Sequence, residues 1–294
     1  MRPFRLHEPT TVSEALAVLS ERGDSARLYA GGTELLLAMK AGFLEYDDLV
    51  NVKTIAGLDA ITTDADGNLH IGPTATHREL ETSTLIAECF PLLADVEHHV
   101  ANVRVRNVGT IGGNLCFAEP HSDPATVFNL FGTNVEITGP MGPRLLGIGE
   151  LQKGPYETAV GDDEVLTDIV MQAIPKGVRS AYLKFGYHHR PTLGVGVALM
   201  LDGDGTVEDV RIAVGSVSPV PFRVQEAETI INGEKMSAVL ADDSSVAAEA
   251  GRIAAESADA VSDLHGSAEY KQHLVSVFVK RALAAAANAP EHQV

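Results

Sequence analysis

The chain has 294 residues, 45% of them hydrophobic and 21% charged, which is enough apolar material for one large domain or two smaller ones. A formal net charge of −18 argues against nucleic acid or an anionic membrane surface as the main partner. Two cysteines are too few for a disulfide framework, a zinc ribbon or a four-cysteine iron–sulfur cluster built by this chain alone.

The N-terminal segment predicts a small layer of helices and strands. Residues 1–7 lack the apolar segment and cleavage site of a secretory signal, and no apolar run approaches the ~18–20 residues of a membrane span. We therefore expect a cytoplasmic protein. The capping-box motif Thr11-Val12-Ser13-Glu14 predicts a helix start. Residues 26–30 predict a strand that runs into a glycine turn, and residues 49–52 predict another strand.

Short strands and helices alternate in the following segment. We expect strands at 68–71, 133–138 and 165–171, and helices starting near Thr76, covering 85–98 and opening at Asp123-Pro124. A second glycine turn lies between the last two of these helices.

The pattern changes near residue 175. We expect three strands, at 181–186, 193–201 and 207–214, and alanine-rich helices at 246–258 and 268–287. The motif Asp202-Gly203-Asp204-Gly205 is a strong hairpin signal between the last two strands. The elements together predict an α+β fold. We expect an N-terminal domain over 1–175, with subdomains 1–55 and 56–175, a C-terminal domain over 176–290, and a tail at 291–294.

Two glycine-rich turns are the main candidates for a binding site. They read Ala30-Gly31-Gly32-Thr33-Glu34 and Thr110-Ile111-Gly112-Gly113-Asn114. Glycine permits positive φ and lets a phosphate approach backbone N–H groups, so the two turns could clamp one pyrophosphate from both sides. Taken singly, each turn is more typical of a tight strand-to-helix connection without a ligand. Neither matches the G-x-G-x-x-G fingerprint or the P-loop.

Several other polar residues have alternative interpretations. Asp123 could bind a ribose or cap its helix, and these roles are compatible. Lys184 lies in an apolar strand, where it either protects a sheet edge or faces a cleft and holds a phosphate or a flavin. Cys116 is more typical of a core thiol than of a reactive one. The position of His77 in the first turn of a predicted helix indicates a capping or surface role for this residue.

A metal site is the alternative use of the histidines. Adjacent histidines in a strand point to opposite faces and chelate poorly, and no H-E-x-x-H motif occurs. We therefore predict no metal. The ligands considered for this rejected metal site are His98-His99, His121 with Asp123, and His188-His189.

A set of motifs spread almost end to end carries a family resemblance. It comprises Phe4-x-Leu6-His7-x-Pro9, Ala30-Gly31-Gly32-Thr33, Ile71-Gly72-Pro73-x-x-Thr76-His77, Arg106-Asn107-x-Gly109-Thr110-Ile111-Gly112-Gly113-Asn114, Ser122-Asp123-Pro124, Gly215-Ser216-Val217-Ser218-Pro219-Val220-Pro221 and Asp263-Leu264-His265-Gly266-Ser267-Ala268-x-Tyr270. With these motifs the chain resembles the FAD-binding medium subunit of the molybdenum hydroxylases, the carbon monoxide dehydrogenase and xanthine dehydrogenase group.

The resemblance implies a fold, partners and a role. The fold would be the FAD-binding fold of the vanillyl-alcohol oxidase (PCMH) type, with a C-terminal domain of the carbon monoxide dehydrogenase flavoprotein kind closing over the flavin. The implied partners are a molybdopterin-binding large subunit and a [2Fe-2S] small subunit, assembled as a dimer of heterotrimers. Electrons would pass from molybdenum through the clusters and FAD to an external acceptor.

The resemblance also implies which residues bind FAD. Asp123 would contact the ribitol or ribose, and Val100, Leu166 and Lys184 would line the flavin. The residues around the pyrophosphate would be Leu28, Tyr29, Ala30, Gly31, Gly32, Thr33, Glu34, Thr110, Ile111, Gly112, Gly113 and Asn114.

Two other readings remain open at this point. One is a self-contained FAD-dependent dehydrogenase or oxidase of a small substrate, and the other is an interaction protein that keeps the fold without flavin. Because a flavin itself carries the redox chemistry, we predict no catalytic side chain. The segment 187–192 departs from the family pattern beside the flavin and leaves the acceptor side unassigned.

Overall fold

The computed structural model describes residues 1–186, 190–241 and 245–293. Its first layer is a three-stranded parallel sheet with the strand order β1-β3-β2. The elements of this layer are β1 (Arg5–His7), α1 (Val12–Arg22), β2 (Ala26–Tyr29), α2 (Leu35–Ala41) and β3 (Asp48–Asn51), with 3₁₀ turns at Gly23–Ser25 and Val52–Thr54. The side chain of Thr11 accepts the N–H of Glu14 at the start of α1, as the capping-box motif predicts.

A five-stranded antiparallel sheet and seven helices form the larger part of the N-terminal region. The strands are β4 (Ile61–Thr63), β5 (Leu69–Ile71), β6 (Asn134–Gly139), β7 (Gly142–Gly147) and β10 (Val165–Met171), in the order β4-β5-β10-β6-β7. A small hairpin joins β8 (Gln152–Gly154) to β9 (Glu157–Thr158). The helices are α3 (His77–Thr82), α4 (Thr84–Cys89), α5 (Pro91–His98), α6 (Val103–Arg106), α7 (Ile111–Phe117), α8 (Asp123–Phe131) and α9 (Ile148–Leu151).

Two features of these helices differ from the sequence-based expectation. The single helix expected over 85–98 is two helices, because Phe90 leaves the helical conformation and Pro91 starts α5. Asp123 does not cap α8. The cap is Ser122, whose hydroxyl accepts the N–H of Ala125 at 3.4 Å, so the carboxylate of Asp123 is free for other partners.

The C-terminal part combines a four-stranded antiparallel sheet with helices. Its strands are β11 (Arg179–Phe185), β12 (Leu193–Leu201), β13 (Val207–Gly215) and β14 (Phe222–Arg223), paired in chain order. The helices are α10 (Gln225–Ile231), α11 (Met236–Val239), α12 (Ser245–Ser257) and α13 (Ala268–Ala287). The three long strands confirm the expectation. The fourth strand, β14, was not predicted because two residues are too few to show an alternation of apolar and polar side chains.

Helix α8 joins the two parts of the chain. All nine of its residues are buried, from Asp123 to Phe131. Phe128 and Leu130 belong to the core of the N-terminal part, and the helix also packs against β12 and β13 of the C-terminal sheet. A helix that is buried on every side is typical of an element enclosed between two layers. The start of α8 is therefore fixed from both sides, and this start carries Asp123.

Candidate cofactor-binding site

A cleft of about 460 Å³ opens between the parallel sheet, the start of α8 and the loop that precedes β12. This volume is typical of a site for a small organic ligand. Of the residues that the sequence assigned to a cofactor, the cleft is lined by Leu28, Tyr29, Ala30, Gly31, Gly32, Thr33, Glu34, Val100, Thr110, Gly112, Gly113, Asn114, Asp123 and Leu166. Ile111 is instead fully buried in the core, and Lys184 reaches the edge of the cleft through Asp123.

The two glycine turns contact each other. A Cβ on Gly31 would lie 2.7 Å from the Cα of Gly109, the residue directly before the second turn. Gly32 has φ +68°, a conformation that other residues rarely adopt. Both glycines of the first turn are therefore required by backbone geometry, and the two turns form one continuous wall of the cleft.

The first turn presents unused backbone donors. None of the N–H groups of residues 31–34 donates a hydrogen bond to a described residue. Successive unpaired N–H groups at a glycine turn form a concave site that favours an anion such as a phosphate. The hydroxyl of Thr33 lies in the same turn. The first turn is thus suited to hold a negatively charged group without any basic side chain.

The second turn uses its backbone donors within the protein. Its N–H groups donate to Ala75 O (from Ile111, 2.9 Å), Pro73 O (from Gly112, 2.8 Å), Thr110 Oγ1 (from Gly113, 3.1 Å) and Thr110 O (from Asn114, 2.9 Å). A Cβ on Gly112 would lie 2.6 Å from Pro73 O, so this glycine serves a close backbone contact. The second turn therefore offers polar side chains to the cleft, while its amides anchor it to residues 73–75.

Asp123 is held by two side chains from β11. Its Oδ1 accepts the hydroxyl of Tyr182 at 2.6 Å, and its Oδ2 accepts the ammonium of Lys184 at 3.1 Å. Burial raises the pKa of Tyr182 well above its usual value, and the charge of Asp123 adds to this effect. The phenol consequently stays protonated and remains a donor. Each carboxylate oxygen retains a lone pair for a ligand.

Lys184 fits the sheet-edge alternative, and it reaches the cleft only through Asp123. It lies on β11, which is the edge strand of its sheet, yet its side chain is only 16% exposed. Its ammonium group bridges Asp123 and the backbone carbonyl of His99, at 3.2 Å. Val100 follows directly and lines the cleft. Lys184 therefore fixes the cleft wall at the point where the two parts of the chain meet.

A chain of ion pairs along the rim was missed by the sequence analysis. Arg190 lies 2.7 Å from Glu119 and 3.8 Å from Glu34 of the first turn. His121 lies 2.9 Å from Glu119 and 3.8 Å from Asp263. Lys271, only 1% exposed, completes the chain with Asp263 at 2.7 Å. Glu119 and His121 are two positions apart and Asp263 and Lys271 eight apart, but the pairs that join these segments to each other and to Arg190 are distant in sequence.

Charge and burial act against each other at this rim. Burial raises the pKa of Glu34 above its usual value. Burial acts in the same direction on Glu119, but the hydrogen bond from His121 and the charge of Arg190 outweigh it and lower the pKa of Glu119. Glu119 is therefore ionised and holds Arg190 across the mouth of the cleft.

Cys116 and His77 also line the cleft. Burial raises the pKa of Cys116 to about 11, so it is a thiol and not a nucleophile at neutral pH. The surface or capping role expected for His77 is wrong. Thr76 caps α3, and His77 is buried with its Nδ1 2.7 Å from Glu97 Oε2.

The histidine pairs do not assemble a metal centre in the part of the chain that the structure describes. No group of three or more potential His, Cys, Asp or Glu ligands is present there. His98 binds Glu81, and His99 binds the carbonyl of Asp95. His188 and His189 lie outside the described residues.

Comparison with known proteins identifies the family. Residues 2–175 match the model of the FAD binding domain in molybdopterin dehydrogenase, and residues 189–286 match that of the CO dehydrogenase flavoprotein C-terminal domain. The chain belongs to this family of FAD-binding dehydrogenase subunits. FAD is its cofactor, and the predicted family and the class of FAD-dependent oxidoreductase subunit are confirmed.

Individual family members match over almost their whole length. The chain is 31% identical to the nicotine 6-hydroxylase medium subunit of Paenarthrobacter nicotinovorans, covering 95% of this chain and 96% of that protein. It is also 31% identical to the carbon monoxide dehydrogenase medium chain of Hydrogenophaga pseudoflava, with 96% of each chain covered. Reconstituted CO dehydrogenase from Oligotropha carboxidovorans superposes with a TM-score of 0.92 at 28% identity, over 99% and 100% of the two chains.

The site fits the cofactor of this family. FAD carries a pyrophosphate, and the first turn supplies unpaired backbone donors for such a group.

The described helices include none that is both long and apolar enough to cross a membrane.

Proposed function

We propose that this chain is the FAD-binding medium subunit of a molybdenum hydroxylase. In this role it passes electrons from a molybdenum and [2Fe-2S] system, through FAD, to an external acceptor. The isoalloxazine ring supplies the redox chemistry, and the protein supplies position and electrostatics. The observation that carries the proposal is the cleft formed by the two contacting glycine turns, in a chain that aligns end to end with medium subunits.

The proposed roles of the site residues follow from the donors that each presents. The unpaired N–H groups of residues 31–34 bind the pyrophosphate, and Thr33 adds its hydroxyl. Thr110 and Asn114 contribute side chains from the second turn. Asp123, oriented by Tyr182 and Lys184, accepts hydroxyl groups of the ribitol or ribose.

The flavin ring lies, in this proposal, against the wall that Lys184 stabilises. Val100 and Leu166 provide apolar contact there, and both line the cleft. The Lys184 ammonium group is a positive charge next to this wall, where it would stabilise negative charge on a reduced ring. The assignment of Leu28, Tyr29 and Ala30 rests on their position in the strand and turn that border the cleft.

We further propose the fold type, the domain boundaries and the partner subunits that the resemblance implies. The N-terminal domain is of the PCMH type over 1–175, and the C-terminal domain covers 176–290. The partners are a molybdopterin-binding large subunit and a [2Fe-2S] small subunit, in a dimer of heterotrimers in the cytoplasm. The names of the relatives, a medium subunit and a medium chain, support a place in a multi-subunit complex.

An FAD titration of the purified full chain, followed by a turnover assay, tests the proposal. We expect flavin binding with at most weak reduction of artificial acceptors by NADH. Rapid turnover of a small substrate by the chain alone would instead support a self-contained dehydrogenase or oxidase. Failure to bind flavin would support an interaction protein and contradict the proposal.

A further inference from the structure

His77 and Glu97 form a buried pair behind the cleft wall. His77 is 3% exposed and Glu97 is fully buried, with His77 Nδ1 2.7 Å from Glu97 Oε2. Among the described residues, Glu97 has no other charged partner, and its second oxygen has no hydrogen-bond partner. Burying a carboxylate costs free energy even when it is paired, so packing alone does not explain why this pair lies in the interior.

The histidine ring lies where the two glycine turns meet. A Cβ on Gly109 would lie 3.3 Å from His77 Cδ2 and 3.5 Å from Thr33 Oγ1, so the ring edge and the hydroxyl approach the same point. The backbone N–H of His77 donates to Gly109 O at 3.0 Å and fixes the start of α3 against the second turn. Nε2, which adjoins Cδ2, has no partner among the described residues, and His77 lines the cleft.

The charges of the cleft favour a positive group at this point. Arg27 is paired with Asp162 at 3.6 Å, and Arg190 is paired with Glu119 at 2.7 Å. His121 is bound to the same Glu119. The unpaired N–H groups of the first turn are neutral, whereas a pyrophosphate diester carries two negative charges. His77 is the cleft-lining base whose carboxylate partner lies behind it, on the side away from the cleft.

We propose that His77 binds the pyrophosphate of FAD through Nε2–H, beside the amides of residues 31–34. Nδ1–H donates a hydrogen bond to Glu97, which fixes the orientation of the ring and directs Nε2–H at the cleft. A hydrogen bond to a charged phosphate oxygen is among the stronger polar contacts. The inference rests on the proposed function, since it assigns a contact to the bound FAD.

Binding measurements on the full apo chain test this contact. The probes are FAD, ADP as a pyrophosphate-bearing fragment, and riboflavin as a phosphate-free fragment. His77→Leu should weaken the binding of FAD and ADP by about tenfold or more, while riboflavin binding stays unchanged. His77→Gln, which keeps a neutral donor, should recover part of the affinity. The matched control is His70→Leu, because His70 forms a similar pair with Asp168 at 2.6 Å outside the cleft.

Glu97→Gln provides a second test that leaves the ring in place. Without the carboxylate, Nδ1–H loses its charged acceptor and the ring loses its fixed orientation, so ADP binding should weaken and riboflavin binding should not. Equal affinity of wild type and His77→Leu for FAD and ADP would overturn the inference. An equal loss for riboflavin and FAD would overturn it as well, since it would indicate a structural role. Failure of the wild-type chain to bind FAD would contradict the proposed function instead.

Discussion

Asp123 lies at the start of α8, where two side chains of β11 hold its carboxylate. From sequence it is either a helix cap or a ribose ligand, and the neighbouring Ser122 takes the cap. This leaves both carboxylate oxygens available to Tyr182 and Lys184. Its position at the start of α8 and its two partners on β11 make Asp123 one of the polar links between the two parts of the chain.

Replacing Tyr182 with Phe should therefore destabilise the protein. The variant removes a 2.6 Å bond to a buried carboxylate, which we expect to lower the free energy of unfolding by about 1.5–3 kcal/mol. Urea denaturation measures the change. Tyr270→Phe is the control, because Tyr270 is 43% exposed. Equal stability of Tyr182→Phe and the wild type would show that the contact with Asp123 is not maintained in solution.

Glu81 makes the stability of the cleft wall depend on pH. Its carboxylate binds Arg78, His98 and Arg106, and Arg106 also donates to the carbonyl of Val100 at 2.9 Å. Although burial acts to raise the pKa of Glu81, the hydrogen bonds from these three partners lower it to about 2. Because the folded pKa is lower than the unfolded one, this stabilisation is complete above about pH 4.5.

The free energy of unfolding should therefore fall as the pH is lowered from about 4.5 towards 2, by on the order of 3 kcal/mol from this group. Glu81→Gln should remove this part of the pH dependence. Urea titrations of both proteins across this range measure it. Parallel pH profiles for the two proteins would contradict the assignment.

At the scale of elements, the two glycine turns have different roles. The first keeps its amides unpaired, whereas the second uses its amides to anchor itself to residues 73–75. A bulky residue at Gly112 would therefore first disturb the contact with Pro73, so loss of flavin in such a variant would not by itself report on the pyrophosphate. The contact between the turns is the better target.

Gly31→Ala should abolish or strongly weaken FAD binding. The added methyl group would lie 2.7 Å from Gly109 Cα and push the turns apart. The flavin absorbance of the purified protein measures the loss, with far-UV circular dichroism to confirm folding. Gly203→Ala serves as the control, since no atom lies within 4 Å of the added Cβ. Full flavin content in Gly31→Ala would contradict the role given to this contact.

Elements whose signals are local could be predicted from the sequence. The helix cap at Thr11, the Asp202–Gly205 hairpin and the long apolar strands all depend on neighbouring residues and appear as expected. The break at Phe90 was missed because Pro91 also fits a continuing helical pattern when read by hydrophobic spacing alone. The glycine turns were recognised because their chemistry is contained in five consecutive residues.

The remaining parts of the site depend on contacts between distant residues. His77 and Glu97 are 20 positions apart, and the rim joins Glu34, Glu119, Arg190 and Asp263. A charged residue does not reveal from sequence which opposite charge it will meet. Only the folded arrangement identifies these partners.

For the whole molecule, the rim connects the C-terminal helix α13 to the first glycine turn. Its innermost pair is Lys271 with Asp263, and Lys271 is only 1% exposed. Removing Asp263 leaves the buried Lys271 ammonium without compensation, whereas removing both members does not. The turn that carries Asp263 also brings His265 against His121 of the N-terminal part, with ring centroids 4.8 Å apart.

Asp263→Asn should lower the free energy of unfolding by about 1.5–3 kcal/mol, because the buried Lys271 ammonium loses its charged hydrogen-bond partner. Adding Lys271→Met to this variant should restore part of the stability. Chemical denaturation of the two variants measures both changes, and Asp259→Asn at an exposed position is the control. If the double variant were as unstable as Asp263→Asn, the loss would come from the turn and not from the buried charge.

The most direct test of the proposed electron relay is the cofactor content of the complex isolated through a tag on this chain, from a cell that encodes its partners. We predict flavin, iron and molybdenum in a fixed ratio to the tagged chain, with the iron and molybdenum held by co-purifying subunits. A flavin-loaded chain that purifies without iron or molybdenum and turns over a substrate by itself would contradict the proposed role.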